Sequence, residues 1–123
     1  MHAKKQTTNL EKVFHEPNRL AIMSALASAG EDGLSFGELR VVCRLTDGNL
    51  SRHLQAMEEG GVVRVEKTYV ERKPRTTVTP TRAGLDRFGS YLAALEQVLV
   101  EARAALPARH RVRVTGALRA ATA

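Results

Sequence analysis

Seven apolar positions near the end of the chain, Leu85, Phe88, Leu92, Leu95, Leu99, Ala102 and Leu106, follow one another at alternating intervals of three and four residues. Apolar residues spaced in this way form one stripe along an α-helix, and such a stripe is the seam of paired helices. Thr81 suits an N-cap and Pro107 a stop, so the pattern predicts one helix over residues 81–106. At 1.5 Å per residue that helix is about 39 Å long, against roughly 30 Å for the diameter of a small domain. With 123 residues the chain is long enough for a single domain with a modest core. The distal half of the helix must therefore overhang its own domain. Burying each stranded leucine is worth about 1.5–3 kcal/mol, which strongly favours a partner helix. The same helix of a second copy satisfies the pattern. The seven residues are the expected dimer contact, with Leu10, Val13 and Phe14 of an N-terminal helix packed on the same seam.

Upstream, boundary signals come at short intervals. Leu10, Val13 and Phe14 recur at helical spacing, and Pro17 opens a second helix with Leu20, Met23 and Leu26 on one face and Ile22 and Ala27 beside them. Gly30 closes it, and Glu31-Asp32-Gly33 reads as a turn. Ser35 and Glu38 have the spacing of a capping box for a third helix, which buries Phe36, Leu39 and either Val42 or Cys43. Thr46 caps a fourth helix that runs to about Glu59 and ends at Gly60-Gly61. Val63–Tyr69 and Arg75–Thr79 are β-branched and alternating, and the polar stretch Val70–Pro74 joins them as a hairpin. Helix, helix, helix, short turn, helix, hairpin and long helix is the order of a winged helix-turn-helix, an α+β fold that is mainly α with a small β-hairpin. The expected domain spans residues 9–106, its dimerisation helix residues 81–106, and residues 1–8 and 107–123 are read as basic, flexible tails.

Composition excludes several functions. No apolar run reaches the roughly 18–20 residues of a membrane span, and the polar start MHAKKQTTNLEK lacks the core of a secretory signal, so a cytoplasmic protein is expected. The single Cys43 can form no internal disulfide, and its place on the packed third helix favours an inert thiol. His2, His15, His53 and His110 show no metal-ligand spacing, so neither metal nor cofactor is expected. No nucleophile, base and orienting group assemble into a catalytic set.

The net charge of +6 comes from the ends. Lys4 and Lys5 precede residue 9, and Arg109, Arg111, Arg113 and Arg119 follow residue 106, while the 13 basic residues between are balanced by all 13 acids. Local clustering says more. Arg64, Lys67, Arg72, Lys73 and Arg75 stand against only Glu66 and Glu71 along the hairpin. On the helix before it, Leu50, Leu54 and Met57 share the inward arc, opposite Gly48, Arg52, Gln55, Ala56 and Glu59, with Asn49 and Ser51 on the flanks. Arg makes paired hydrogen bonds to guanine, and Asn or Gln to adenine. The candidate DNA contacts on this helix are Thr46, Asp47, Gly48, Asn49, Ser51, Arg52, His53 and Gln55. Those on the hairpin tip are Arg72, Lys73, Pro74, Arg75 and Thr76. Glu58 and Glu59 would repel phosphates, which confines the contact to the first two turns.

The string from Leu45 to Gly84, with TDGNLSRHL and RKPRTT within it, strongly resembles the small winged-helix regulators of bacteria and archaea related to the MarR and ArsR groups, as does HEPNRLAIMSALA upstream. The resemblance implies a dimeric transcription factor that sets the helix Asp47–Glu59 in the major groove and the wing at Arg72–Thr76 beside it. The resulting expectation is a sequence-specific regulator of double-stranded DNA, repressor-like, acting as a homodimer on a pseudo-palindromic operator. A small-molecule effector is left open. Two alternatives compete. A winged-helix protein-interaction module would want an exposed apolar patch on the reading helix. A binder of RNA or single strands would want aromatic platforms, for which Tyr69 is the one residue well placed.

Overall fold

The computed structural model describes residues 10–112, so the expected arm 1–8 and the tail beyond Val112, with Arg113 and Arg119, lie outside the described residues. Its elements are α1 (Pro17–Ala29), β1 (Leu34–Ser35), α2 (Phe36–Cys43), α3 (Asp47–Glu59), β2 (Val63–Val70), β3 (Lys73–Pro80) and α4 (Arg82–Ala105), then a 3-10 turn at Ala108–His110. Three antiparallel strands stand in the order β1-β3-β2. This is a winged helix with a long C-terminal helix.

Most helix ends are where the sequence puts them. Ser35 and Glu38 form the reciprocal capping box of α2, while Thr46 and Thr81 accept from the backbone N–H of Asn49 and Gly84 to cap α3 and α4. The cap of α1 has no such signature: the Glu16 carboxylate accepts from the N–H groups of Asn18 and Arg19 at 3.1 and 3.0 Å. Glu16 also corrects the N-terminal helix expected at Leu10, Val13 and Phe14. Preceding Pro17, it is held extended (φ −153°), which ends any helix upstream. The three residues ride a single turn in which the His15 N–H donates to the Glu11 carbonyl at 3.0 Å.

Strand β1 was not legible in the sequence. Gly33, left-handed at φ 69°, brings the chain so close to the Val78 carbonyl that any Cβ would overlap it. Leu34 and Ser35 then pair with Val78 and Thr77. The core gathers Phe14, Ile22, Met23, Leu26, Leu39, Leu50, Leu54, Met57, Val62, Val63, Val78, Phe88 and Tyr91. On α2 Cys43 packs against it and Val42 stays exposed.

Helix α4 has two regimes. Gly84, Phe88 and Tyr91 are buried in their own domain, and Leu95 is partly so. From Glu96 to Ala105 every residue is exposed. Phe14 and Phe88 are therefore withdrawn as dimer contacts: their rings lie 5.2 Å apart inside the protomer, each also against Tyr91. Leu10 and Val13 are likewise drawn partly into that core. Residues after Pro107 do not trail away at once. Arg111 donates to the carbonyls of Leu106 and Ala104 at 3.1 and 3.2 Å, capping α4 in place of the flexible start expected for the tail.

The start of α4 sits so tightly on Val62 that a Cβ on Gly84 would overlap the Val62 carbonyl oxygen and lie 2.7 Å from its Cα. Both partners are backbone and neither can yield locally. Gly84→Ala is expected to destabilise the fold by about 2–3 kcal/mol, read as a lowered urea midpoint. An unchanged midpoint would mean that the packing of α4 on Val62 is slack.

Candidate nucleic-acid interface

Burial of Leu50, Leu54 and Met57 fixes the rotation of α3. Gly48, Asn49, Ser51, Arg52 and Gln55 consequently face solvent, as their spacing predicts. The turn before α3 is held by Arg44 in the left-handed region (φ 56°) and by an ion pair from Arg40 Nε to Asp47 Oδ1 at 3.2 Å. On the outer face Arg52 donates to Asn49 Oδ1 at 3.3 Å and Gln55 to Glu59 Oε1 at 3.4 Å. Arg52 and Asn49, both suited to base edges, are thus linked to each other, while Gln55 is tied to Glu59. Asp47 and Thr46 serve the helix start itself.

His53 does not join this face. Its side chain is 12% exposed, and Nδ1 lies 3.5 Å from Glu16 Oε2, at the cap of α1. The contact ties α3 to α1 and removes His53 from the candidate DNA contacts. Burial pushes the Glu16 carboxyl up, but the Asn18 and Arg19 N–H bonds, with the charges of His53 and Arg19, hold it below its ordinary value. The stabilisation from Glu16 is accordingly present above the ordinary carboxylate range and lost as pH falls through its depressed value.

The hairpin is tighter than expected. Val70 pairs with Lys73, leaving Glu71 and Arg72 as the whole turn, both left-handed at φ 53° and 69°. Pro74, assigned to a polar turn from the sequence, instead stands in β3 opposite Tyr69. Strand alternation then sorts the side chains. Val63, Val65, Lys67 and Tyr69, with Pro80, Val78, Thr76 and Pro74, share one face. That face meets α3 across a groove of about 380 Å3, lined by Phe36, Ser51, Leu54, Gln55, Glu58, Val65, Lys67 and Thr76. Lys73 and Arg75 have the opposite parity. Arg75 reaches back to Glu38 Oε1 at 3.4 Å, so it braces the wing against α2 and is not an open cation at the tip. Bonds from the Ser35 backbone and hydroxyl, with the Arg75 charge, keep the Glu38 carboxyl below its ordinary value.

Sequence reasoning missed Lys67 and Tyr69 as members of the groove-side face. The signal was present as parity with the buried Val63, two residues at a time. Glu58 accepts from the Val65 N–H at 3.2 Å, at the open edge of β2. Cys43 is partly buried, and burial raises its thiol above the ordinary value, against ready thiolate chemistry. Among the described residues no cluster of His, Cys, Asp and Glu is placed to hold a metal, and no helix is long and apolar enough to cross a membrane.

A capped helix with an outward polar face, a short turn before it and a basic hairpin beside it define a winged-helix DNA-binding module. The chain belongs to the winged helix DNA-binding domain family, whose profile matches residues 18–99. An uncharacterized protein of Methanocaldococcus jannaschii is 31% identical over 87 residues, 71% of this chain and 92% of that one. The transcriptional regulator homologue protein from Pyrococcus horikoshii OT3 superposes with a TM-score of 0.70 at 29% identity, covering 79% of this chain and 96% of that one. Staphylococcus aureus MepR, in a complex with DNA, shares the fold with a TM-score of 0.63 at 14% identity, over 80% of this chain and 79% of its own. A MarR-family regulator from Silicibacter pomeroyi does so with a TM-score of 0.56 at 21% identity, over 98% and 79%. The fold is that of MarR-type regulators, and the family is one of DNA-binding domains, not of enzymes.

The geometry separates the roles of the arginines. Arg52→Ala is expected to cost about 1–3 kcal/mol on a preferred duplex and to relax base preference. Arg72→Ala should weaken all duplexes alike and reduce the slope of log affinity against log salt by about one. Arg75→Ala should move that slope less, because Glu38 already balances its charge. Equal slopes for the Arg72 and Arg75 variants in a salt titration would contradict the assignment of Arg75 as a brace.

Proposed function

We propose that this protein is a transcriptional regulator that binds double-stranded DNA sequence-specifically as a homodimer, and that it represses by occupying a pseudo-palindromic operator. The observation that carries the reading is the outward face of α3, where Asn49, Ser51, Arg52 and Gln55 stand clear of the core beside the groove it shares with the wing. An amphipathic helix with nothing to read could carry any polar residues there; these are the ones that address base edges, next to the basic tip at Arg72 and Lys73. The Pyrococcus relative, described as a regulator homologue, and the DNA-bound state of MepR lend support. A protein acting on the chromosome in this way works in the cytoplasm.

The dimer rests on the overhang of α4. Leu92, Leu99 and Leu106 are 41%, 52% and 44% exposed, aligned with the half-buried Leu95 and with Ala102. Leu85, also exposed, extends the stripe toward the helix start. A two-fold pair along this stripe would place two α3 helices one duplex turn apart, about 34–36 Å. Leu99→Asp is expected to give monomers in sedimentation velocity with an unchanged unfolded-to-folded spectrum, and to lower affinity for a full operator by at least tenfold. A variant that stays dimeric would move the interface elsewhere.

Selection of bound sequences from a random duplex pool tests the function as a whole. The expected product is a two-fold symmetric consensus with half-sites about 10–10.5 base pairs apart. Failure to enrich any sequence would exclude specific reading by α3, and an asymmetric single site would exclude the symmetric operator.

A further inference from the structure

The tip of the wing carries an apolar surface that the fold does not use. Tyr69 is 76% exposed, and its cross-strand partner is Pro74, also exposed. The two belong to the face that β2 and β3 turn toward α3, beyond Lys67 and Thr76 along the hairpin. Among the described residues the aromatic pairs join Phe14, Phe88, Tyr91 and His15, none of them on the wing. Lys67 shares that face, Arg72 stands in the turn at its end beside the acid Glu71, and Lys73 lies on the opposite face.

We propose that Tyr69, backed by Pro74, is a DNA-contacting residue: its ring lies on the deoxyribose edge of the strand that borders the groove read by α3. The inference rests on the duplex-binding reading above and adds a residue and a chemistry to it. The argument is one of matched surfaces. A duplex backbone offers alternating phosphates and apolar sugar edges. The wing offers cations at Lys67 on the same face and at Arg72 in the turn, with the apolar pair between them along the hairpin. An aromatic ring gains contact area there with little loss of side-chain freedom, because only two torsions need be fixed. Pro74 has no N–H to leave unpaired and holds its own backbone rigid. The turn at Glu71–Arg72 sets the pair at a fixed height, since both of its residues already occupy the left-handed region. Contact with sugars carries no base information, so Tyr69 contributes affinity and not preference.

The chain has no Trp and only two Tyr, of which Tyr91 is buried, so quenchable ultraviolet emission reports on Tyr69. The full-length protein is titrated with acrylamide, alone and saturated with a mixed-sequence duplex at low salt. Tyr69 emission should become several-fold less quenchable on the duplex. Tyr69→Ala should bind about tenfold more weakly, for the apolar area lost, at an unchanged salt slope. Tyr69→Phe should bind like the wild type. Unchanged quenching at saturation overturns the inference while leaving duplex binding in place. So does equal loss from the Phe and Ala variants, which would assign the effect to the hydroxyl. No binding to any duplex at low salt removes the parent reading and this one together. If Tyr69→Ala loses the hairpin, seen in its circular dichroism, the quenching of the wild-type protein decides alone.

Discussion

The seat of α4 on the turn that ends α3 is the constraint from which the rest follows. Thr81 donates its N–H to the Val62 carbonyl at 3.0 Å and its hydroxyl to the Gly61 carbonyl at 2.7 Å. Arg87, six residues on, donates to the Gly60 carbonyl at 2.7 Å while its guanidinium grips Glu11 at 2.6 Å. The hydrogen bond to Glu11 outweighs the cost of burial and keeps the Arg87 charge especially secure. The carbonyls of the Gly60–Val62 turn that follows α3 are thereby satisfied by the start of α4. Val63 begins β2 one residue after Val62, so the wing leaves the same junction. Helix α3, the wing and α4 thus meet at one junction.

Three acids of the domain are occupied with the fold. Glu16 caps α1 and receives His53, Glu38 completes the α2 capping box and receives Arg75, and Glu58 covers the edge of β2. A surface meant for phosphates is weakened by open carboxylates, because like charge repels across the low-dielectric contact. Here three of them near α3 and the wing are turned to internal hydrogen bonds. The cost falls on the arginines. Arg75 and Arg87 are held in place as well, which leaves Arg52 on α3 and Arg72 on the wing for the proposed DNA contact.

Most helix ends and the inward face of α3 were legible because each is written locally, as a Ser, Thr or Gly at a cap or as three apolar residues at spacings of four and three. The two residues of β1 carry no periodicity of their own and exist only because β3 lies beside them. The left-handed turn at Glu71–Arg72 lacks the glycine or asparagine that usually announces it. The stripe on α4 was read as a single seam, yet Phe88 serves the protomer and Leu99 faces out. A heptad spacing records that a face is apolar and does not record which surface covers it. The contacts of His53 and Arg75 were not legible for a related reason: their partners, Glu16 and Glu38, are 37 positions away in both cases, beyond any local pattern.

The central claim is that one duplex is held by two copies of the chain, each through α3 and its wing. Sedimentation equilibrium of the full-length protein with a single duplex recovered from the random pool measures this directly. The account requires a saturated complex of two chains on one duplex, forming without a populated one-to-one species. A complex that saturates at one chain per duplex would contradict it.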